Sequence, residues 1–174
     1  MSSKIHRAGF VNIIGNPNVG KSTLMNALVG ERLSIITSKS QTTRHRIMGI
    51  VNGDDYQIVY SDTPGILRPS YKLQQSMMDY VETAIGDADV ILYVTDVVEK
   101  SDKNQEYIDK LNRVICPVIL IINKIVNNTI YMSFKHTSIL PSPCNRYGNT
   151  ANKGHFISHF LRNTGIKRHN HTAT

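Results

Sequence analysis

Short, densely apolar runs alternate with segments of helical spacing along residues 8–125. Ala8–Ile14 is one such run, ending at Gly15, and it predicts a buried strand. Ser22–Val29 places Leu24, Ala27 and Leu28 on one helical face and stops at Gly30. The stretch Ser34–His45 is too rich in Ser, Thr and Arg for a core. Arg46–Val51 and Tyr56–Tyr60 read as strands, joined through the hairpin signal Asn52-Gly53-Asp54-Asp55. Helical spacing returns over Lys72–Ile85, followed by an apolar strand, Val90–Val94. Asp102, with Gln105 three positions on, starts a helix expected to bury Ile108, Leu111 and Ile115. Val118–Ile122 is a further buried strand, ending at Asn123. This β-α-β order predicts an α/β fold: an open, mostly parallel sheet covered by helices. Such sheets bind ligands at the carboxyl ends of their strands, where Gly15, Asp62 and Asn123 all fall.

The pattern breaks at residue 126. Residues 126–174 are rich in Asn, Thr, Ser and His, with a strand signal only at Ile130–Phe134 and a helical turn or two at Phe156–Leu161. They are expected to be poorly ordered. Charge sharpens the division. The chain of 174 residues carries +7, yet the last acidic residue is Asp109, and all 13 acidic and 14 of the 20 basic residues precede position 126. The basic balance therefore belongs to the tail, which weakens it as an argument for a nucleic-acid-binding domain. The expected division is an α/β domain over 1–125 and a basic, acid-free tail over 126–174 that is disordered or read out of frame. The longest apolar run, Val114–Ile122, is nine residues, too short to span a bilayer, and the N-terminus lacks a signal-peptide pattern. Two cysteines make no disulfide framework, so a reducing cytosol is the default, with Cys116 a core thiol.

Chemistry concentrates at the strand ends. Gly15-Asn16-Pro17-Asn18-Val19-Gly20-Lys21-Ser22 has the form G-x-x-x-x-G-K-[ST], between a predicted strand and a predicted helix. Its glycines let backbone N–H groups turn inward as an anion nest, and the helix N-terminus adds partial positive charge. Lys21 is expected to reach the β- and γ-phosphates and the Ser22 hydroxyl to ligate Mg²⁺. Asp62-Thr63-Pro64-Gly65 is by itself a common turn. Placed forty residues after the phosphate loop, it reads as the second half of the site: Asp62 for the metal shell, the Gly65 N–H for a γ-phosphate. Gln41-Thr42-Thr43-Arg44-His45 offers a threonine that completes the metal shell when γ-phosphate is present, or else is a solvated basic loop. Asn123-Lys124 offers an amide for a purine edge and an aliphatic stem to cover the ring.

Residues 9–125 resemble the GTPase domain of the Era family, in the translation-factor-related class. The likeness rests on Gly-Phe-Val-Asn before the phosphate loop, Gly-Asn-Pro-Asn-Val-Gly-Lys-Ser-Thr-Leu, Gln-Thr-Thr-Arg-His-Arg, Asp-Thr-Pro-Gly-Ile and Asn-Lys-Ile. It implies a P-loop, Ras-like G domain that binds GTP and GDP with Mg²⁺. By resemblance, residues 15–22 bind phosphate and metal, Thr43 (with Thr42 the alternative) is the switch I threonine, Asp62-Thr63-Pro64-Gly65-Ile66 form switch II, and Asn123 and Lys124 read the base. Lys21, Thr43, Asp62 and Gly65 are then the catalytic set, and Ser22, Thr43 and Asp62 the metal set. Where Ras-like relatives place a water-orienting Gln, this chain has Ile66. Some members of the class use K⁺ in place of an arginine finger, held in part by a phosphate-loop Asn that Asn18 matches. The resemblance further implies 16S rRNA and the 30S subunit as partners, a monomeric state, and a cytoplasmic location with peripheral association at the inner face of the membrane.

The resemblance stops at Val126, where the family motif Asn-Lys-x-Asp has its carboxylate. Valine accepts neither guanine N1–H nor N2–H₂, and a site built for such pairing discriminates by about 10⁴-fold. Residues 126–174 contain no G-x-x-G, so no RNA-binding KH domain is recognisable. Two alternatives stay open: a non-catalytic G-domain fragment, and a phosphate-loop enzyme that uses ATP. Without its last strand and helices, the sheet is expected to leave Ile119, Leu120 and Ile121 partly uncovered.

Overall fold

The computed structural model describes residues 7–34, 43–96, 105–125 and 129–134. The elements run β1 (Arg7–Gly15), α1 (Lys21–Val29), β2 (Ile47–Asn52), β3 (Tyr56–Asp62), α2 (Lys72–Gly86), β4 (Val90–Asp96), α3 (Gln105–Arg113), β5 (Val118–Ile125) and β6 (Thr129–Phe134). They form one six-stranded sheet in the order β2-β3-β1-β4-β5-β6. β1 pairs in parallel with β3 and β4, and β4 with β5. The outer strands β2 and β6 run antiparallel to their neighbours. The predicted α/β architecture is therefore present, including the hairpin at Asn52–Tyr56, closed by the Gly53 N–H on the Tyr56 carbonyl at 2.8 Å.

Both faces of the central strands are covered, which is why their sequences are largely apolar. Val11 and Ile13 of β1 point to one side, into a cluster with Leu24 and Met25 of α1, Leu92, Ile119 and Ile121. Ile14 points to the other side, among Met77, Met78 and Val81 of α2 and Leu111 and Cys116. Among the described residues no helix is long and apolar enough to cross a membrane.

Four expectations change. Ala27 is exposed, and Met25 takes its place against the sheet beside Leu24. Ile115 is 69% exposed because α3 ends at Arg113; past that point helical phase no longer applies, and Cys116 packs inward instead. Ile119 and Ile121 are buried, not uncovered, since their side is filled by the α1 cluster and β6 pairs along the outer edge of β5, whereas Leu120 on the other face is only half-buried, as expected. β6 also carries the sheet past residue 125, where the strand signal at Ile130–Phe134 pointed. The helical start at Asp102, Thr42, Val126 and the features of 135–174 lie outside the described residues.

Candidate functional site

The parallel strands β1, β3 and β5 end on one side of the sheet, and the described loops that follow them, with the segment entering β2, supply the site. The first loop follows β1. Asn18 takes a left-handed backbone (φ 64°) and Gly20 another (φ 101°) before α1 begins at Lys21. A side chain at Gly20 is excluded twice over: by that φ, and because a Cβ would lie 2.1 Å from the Asn123 amide nitrogen. Lys21 is buried, and its ammonium donates to the Asn16 carbonyl at 2.7 Å, so the lysine lies back along its own loop. Asn18 is exposed at the rim.

The second loop follows β3 and delivers Asp62, which is fully buried. Its Oδ2 accepts from Ser22 Oγ at 2.7 Å and from Thr43 Oγ1 at 3.4 Å, and the two hydroxyls stand 3.3 Å apart. These oxygens come from the start of α1, the segment entering β2 and the end of β3. They are the three residues that the sequence assigned to a metal. Asp62 Oδ1 is buried and accepts no hydrogen bond from the described residues. Burial pushes the Asp62 carboxyl above the ordinary carboxylate range; the Ser22 hydroxyl and the Lys21 charge pull the other way without offsetting it.

A buried carboxylate with a vacant oxygen beside two hydroxyls fits a small hard cation that takes its remaining ligands from phosphate and water. Among the described residues no cluster of three or more His, Cys, Asp or Glu offers an all-protein metal cage. Mg²⁺ with a nucleotide therefore fits these donors better than a metal held by protein alone.

The rest of the Asp62 loop lies against the phosphate loop. The Ile66 N–H donates to the Gly15 carbonyl at 3.1 Å, and a Cβ on Gly65 would come within 2.7 Å of Pro17. Thr63 is turned away from the site: its hydroxyl donates to the Ile13 carbonyl at 2.8 Å, a structural role. Ile66 is buried in the α2 cluster. The last loop follows β5. The Asn123 amide donates to the Val19 carbonyl at 2.9 Å, bracing the phosphate loop from behind. Lys124 adopts φ 57°, and its ammonium pairs with Asp96 at the end of β4 at 2.8 Å.

Sequence reasoning missed the polar cluster on the α2 side of the sheet. Asn12, read only as an interruption of an apolar run, is fully buried and donates to the Ala84 carbonyl at 2.6 Å and to Asp87 at 2.7 Å. Arg46 reaches the same place. The one signal was a polar residue in the middle of a strand otherwise apolar on both faces, which marks a partner across the sheet.

Residues 10–124 match the family model described as a 50S ribosome-binding GTPase. GTPase Era of Clostridium botulinum is 47% identical over 124 residues, which cover 71% of this chain and 42% of that protein. A crystal structure of Era in complex with MgGDPNP and nucleotides 1506–1542 of 16S ribosomal RNA superposes with a TM-score of 0.65 at 32% identity, covering 94% of this chain and 50% of that one. The structure of NFeoB from S. thermophilus bound to GDP·AlF₄⁻ and K⁺ does so at 0.52 and 29%, covering 66% and 44%. The chain thus spans less than half the length of the curated relative it matches. The chain therefore belongs to the 50S ribosome-binding GTPase family and carries a GTPase domain of the Era type.

Proposed function

We propose that the chain binds GTP and hydrolyses it to GDP and phosphate, and that the GTP-bound and GDP-bound forms differ in the placing of Thr43 and the Asp62 loop. One observation carries the reading: Ser22, Thr43 and Asp62 approach one another within 3.4 Å from three separate segments, around a carboxylate oxygen with no partner among the described residues. Ser22, Thr43 and Asp62 would hold Mg²⁺. When bound, the metal neutralises charge on the phosphate oxygens. Backbone N–H groups at the start of α1 cradle the phosphates, and Lys21 exchanges the Asn16 carbonyl for them. In the reaction a water oxygen bonds to the γ-phosphorus as the bond to the β–γ bridging oxygen breaks, and GDP leaves. Lys21 supplies positive charge as that bridging oxygen becomes negative. Ile66 has no group to orient the water, so the attacking water is positioned by backbone and by Thr43. K⁺ beside Asn18 is the proposed additional charge.

On the base, Asn123 and Lys124 contribute a rigid floor, and Lys124 covers the ring with its stem. Val126 removes the acceptor for the guanine edge, so guanine preference is proposed to be weaker than in the family by several kcal/mol. That substitution also favours the second reading, a non-catalytic G-domain fragment that holds nucleotide weakly or not at all. The proposed macromolecular partner is 16S rRNA, as in the Era complex, in the cytoplasm or at the inner face of the membrane. Phosphate release from GTP and from ATP, in KCl and in NaCl, tests the reading. GTP-selective release that is faster in KCl supports it. Weak or absent nucleotide binding with no release supports the fragment, and equal rates in the two salts remove K⁺.

A further inference from the structure

Arg46 is the residue at which the segment carrying Thr43 enters the sheet. Its side chain is 8% exposed, and four of its five guanidinium N–H groups donate. Nε donates to Ser61 Oγ at 2.6 Å, Nη2 to Asn12 Oδ1 at 2.9 Å and to Asp87 Oδ1 at 3.0 Å, and Nη1 pairs with the other Asp87 oxygen. Ser61 is fully buried and immediately precedes Asp62. Asp87 caps the C-terminal end of α2, the helix that follows the Asp62-x-x-Gly65 loop. A carboxylate there is opposed by the negative end of the helix, and the last turn of α2 has no basic residue of its own to compensate. The compensating cation comes from Arg46, forty-one positions away. Beside it, His45 meets Tyr80 of α2 edge-on, with ring centroids 5.6 Å apart. The segment entering β2 is thus fastened to α2 by two consecutive side chains.

We propose that Arg46 is a positioning residue that locks the end of the Thr43 segment to the C-terminus of α2 and to Ser61, so that ordering of Thr43 and displacement of α2 occur together. The inference rests on the nucleotide-site reading for the role of Thr43. A fork-shaped, planar donor is required, since no other side chain reaches three acceptors on three elements at once. Nucleotide-dependent movement at the metal site then reaches the far end of α2 without passing through the apolar core.

Hydrogen exchange on the full-length chain, free of nucleotide, tests it with Arg46→Lys, Asp87→Asn and the double variant. Asp87→Asn is expected to speed amide exchange at residues 43–49 by about tenfold or more, the equivalent of one charge-assisted hydrogen bond. Arg46→Lys is expected to do the same at residues 83–87, and the double variant to match the larger single effect. Changes confined to the substituted element overturn the proposal, as does a double variant whose effects multiply. If either single variant opens the whole core to exchange, Ser61→Ala carries the same readout, because it removes one acceptor and strands no charge. Adding Mg²⁺ and a GTP analogue gives a second reading: protection at Thr43 should be weaker in Asp87→Asn than in the unaltered chain. A chain that binds no guanine nucleotide would remove the proposed function and leave the nucleotide-free exchange result to decide the coupling.

Discussion

Replacing Asp62 with asparagine should stabilise the metal-free chain while destroying its response to Mg²⁺ and nucleotide. Asp62 is fully buried; one oxygen takes two neutral hydroxyl donors, and the other takes none from the described residues. Its pKa is raised by burial, so the ionised form is held at a cost. Asparagine keeps the shape, accepts from Ser22 and removes the charge. The gain comes from no longer burying an ionised carboxylate, less the amide N–H₂ left in place of Oδ1, and is about 1–3 kcal/mol. In a domain of this size each kcal/mol moves the melting temperature by roughly 2–4 °C, so a rise of about 5 °C is expected in EDTA. With Mg²⁺ and a GTP analogue at about 100 times Kd the order reverses, because the unaltered chain gains about 2.7 kcal/mol from ligand that the variant does not. Paired thermal melts, followed by circular dichroism, read both effects. An Asp62→Asn chain that melts lower in EDTA, or that gains as much from Mg²⁺-nucleotide as the unaltered chain, refutes the reasoning.

Acidity gives a related expectation. A carboxyl whose folded pKa lies above its unfolded value binds its proton more tightly when folded. Its contribution is therefore present at low pH and lost as pH rises through the raised value. The stability difference between the metal-free chain and Asp62→Asn should widen with rising pH across that interval; urea melts at a series of pH values read it, and a constant difference contradicts it. Gly20→Ala forces a strained φ and a 2.1 Å approach to Asn123. It should weaken binding of a fluorescent GDP analogue by at least about tenfold, and near-normal affinity would count against the tight backbone turn. Ile13→Ala, in the fully buried layer between α1 and the sheet, should cost about 2–5 kcal/mol by urea denaturation; a loss below 1 kcal/mol would mean the site collapses around the gap.

The periodicity of the chain exposed most of the fold because β1, β4 and β5 are covered on both sides and so carry apolar runs, broken in β1 only at Asn12. It failed where helical phase ended: Ile115 continues the pattern of α3 on paper, but the backbone has already turned. It also failed at Ala27, whose small side chain gives no measure of which face is buried. Ser22, Asp62 and Asn123 were legible because glycine-rich and strand-terminal positions leave a local signature. Thr43 was legible only through resemblance, since a Thr-rich polar loop looks the same whether solvated or ordered. The Arg46–Asp87–Asn12 cluster left one local sign, the polar Asn12 within an apolar strand, and nothing that named its partners. Its members lie far apart in sequence and meet only once the sheet and α2 have packed.

The account depends on the loop from Gly15 to Ser22 gripping nucleotide phosphates with a metal at Ser22 and Asp62. Titration of the full chain with a fluorescent GDP analogue in Mg²⁺, alongside Lys21→Ala, tests this most directly. The account predicts saturable one-to-one binding that weakens by at least about tenfold when the Lys21 ammonium is removed. Absence of saturable binding by the unaltered chain, or equal affinity in the two, contradicts it.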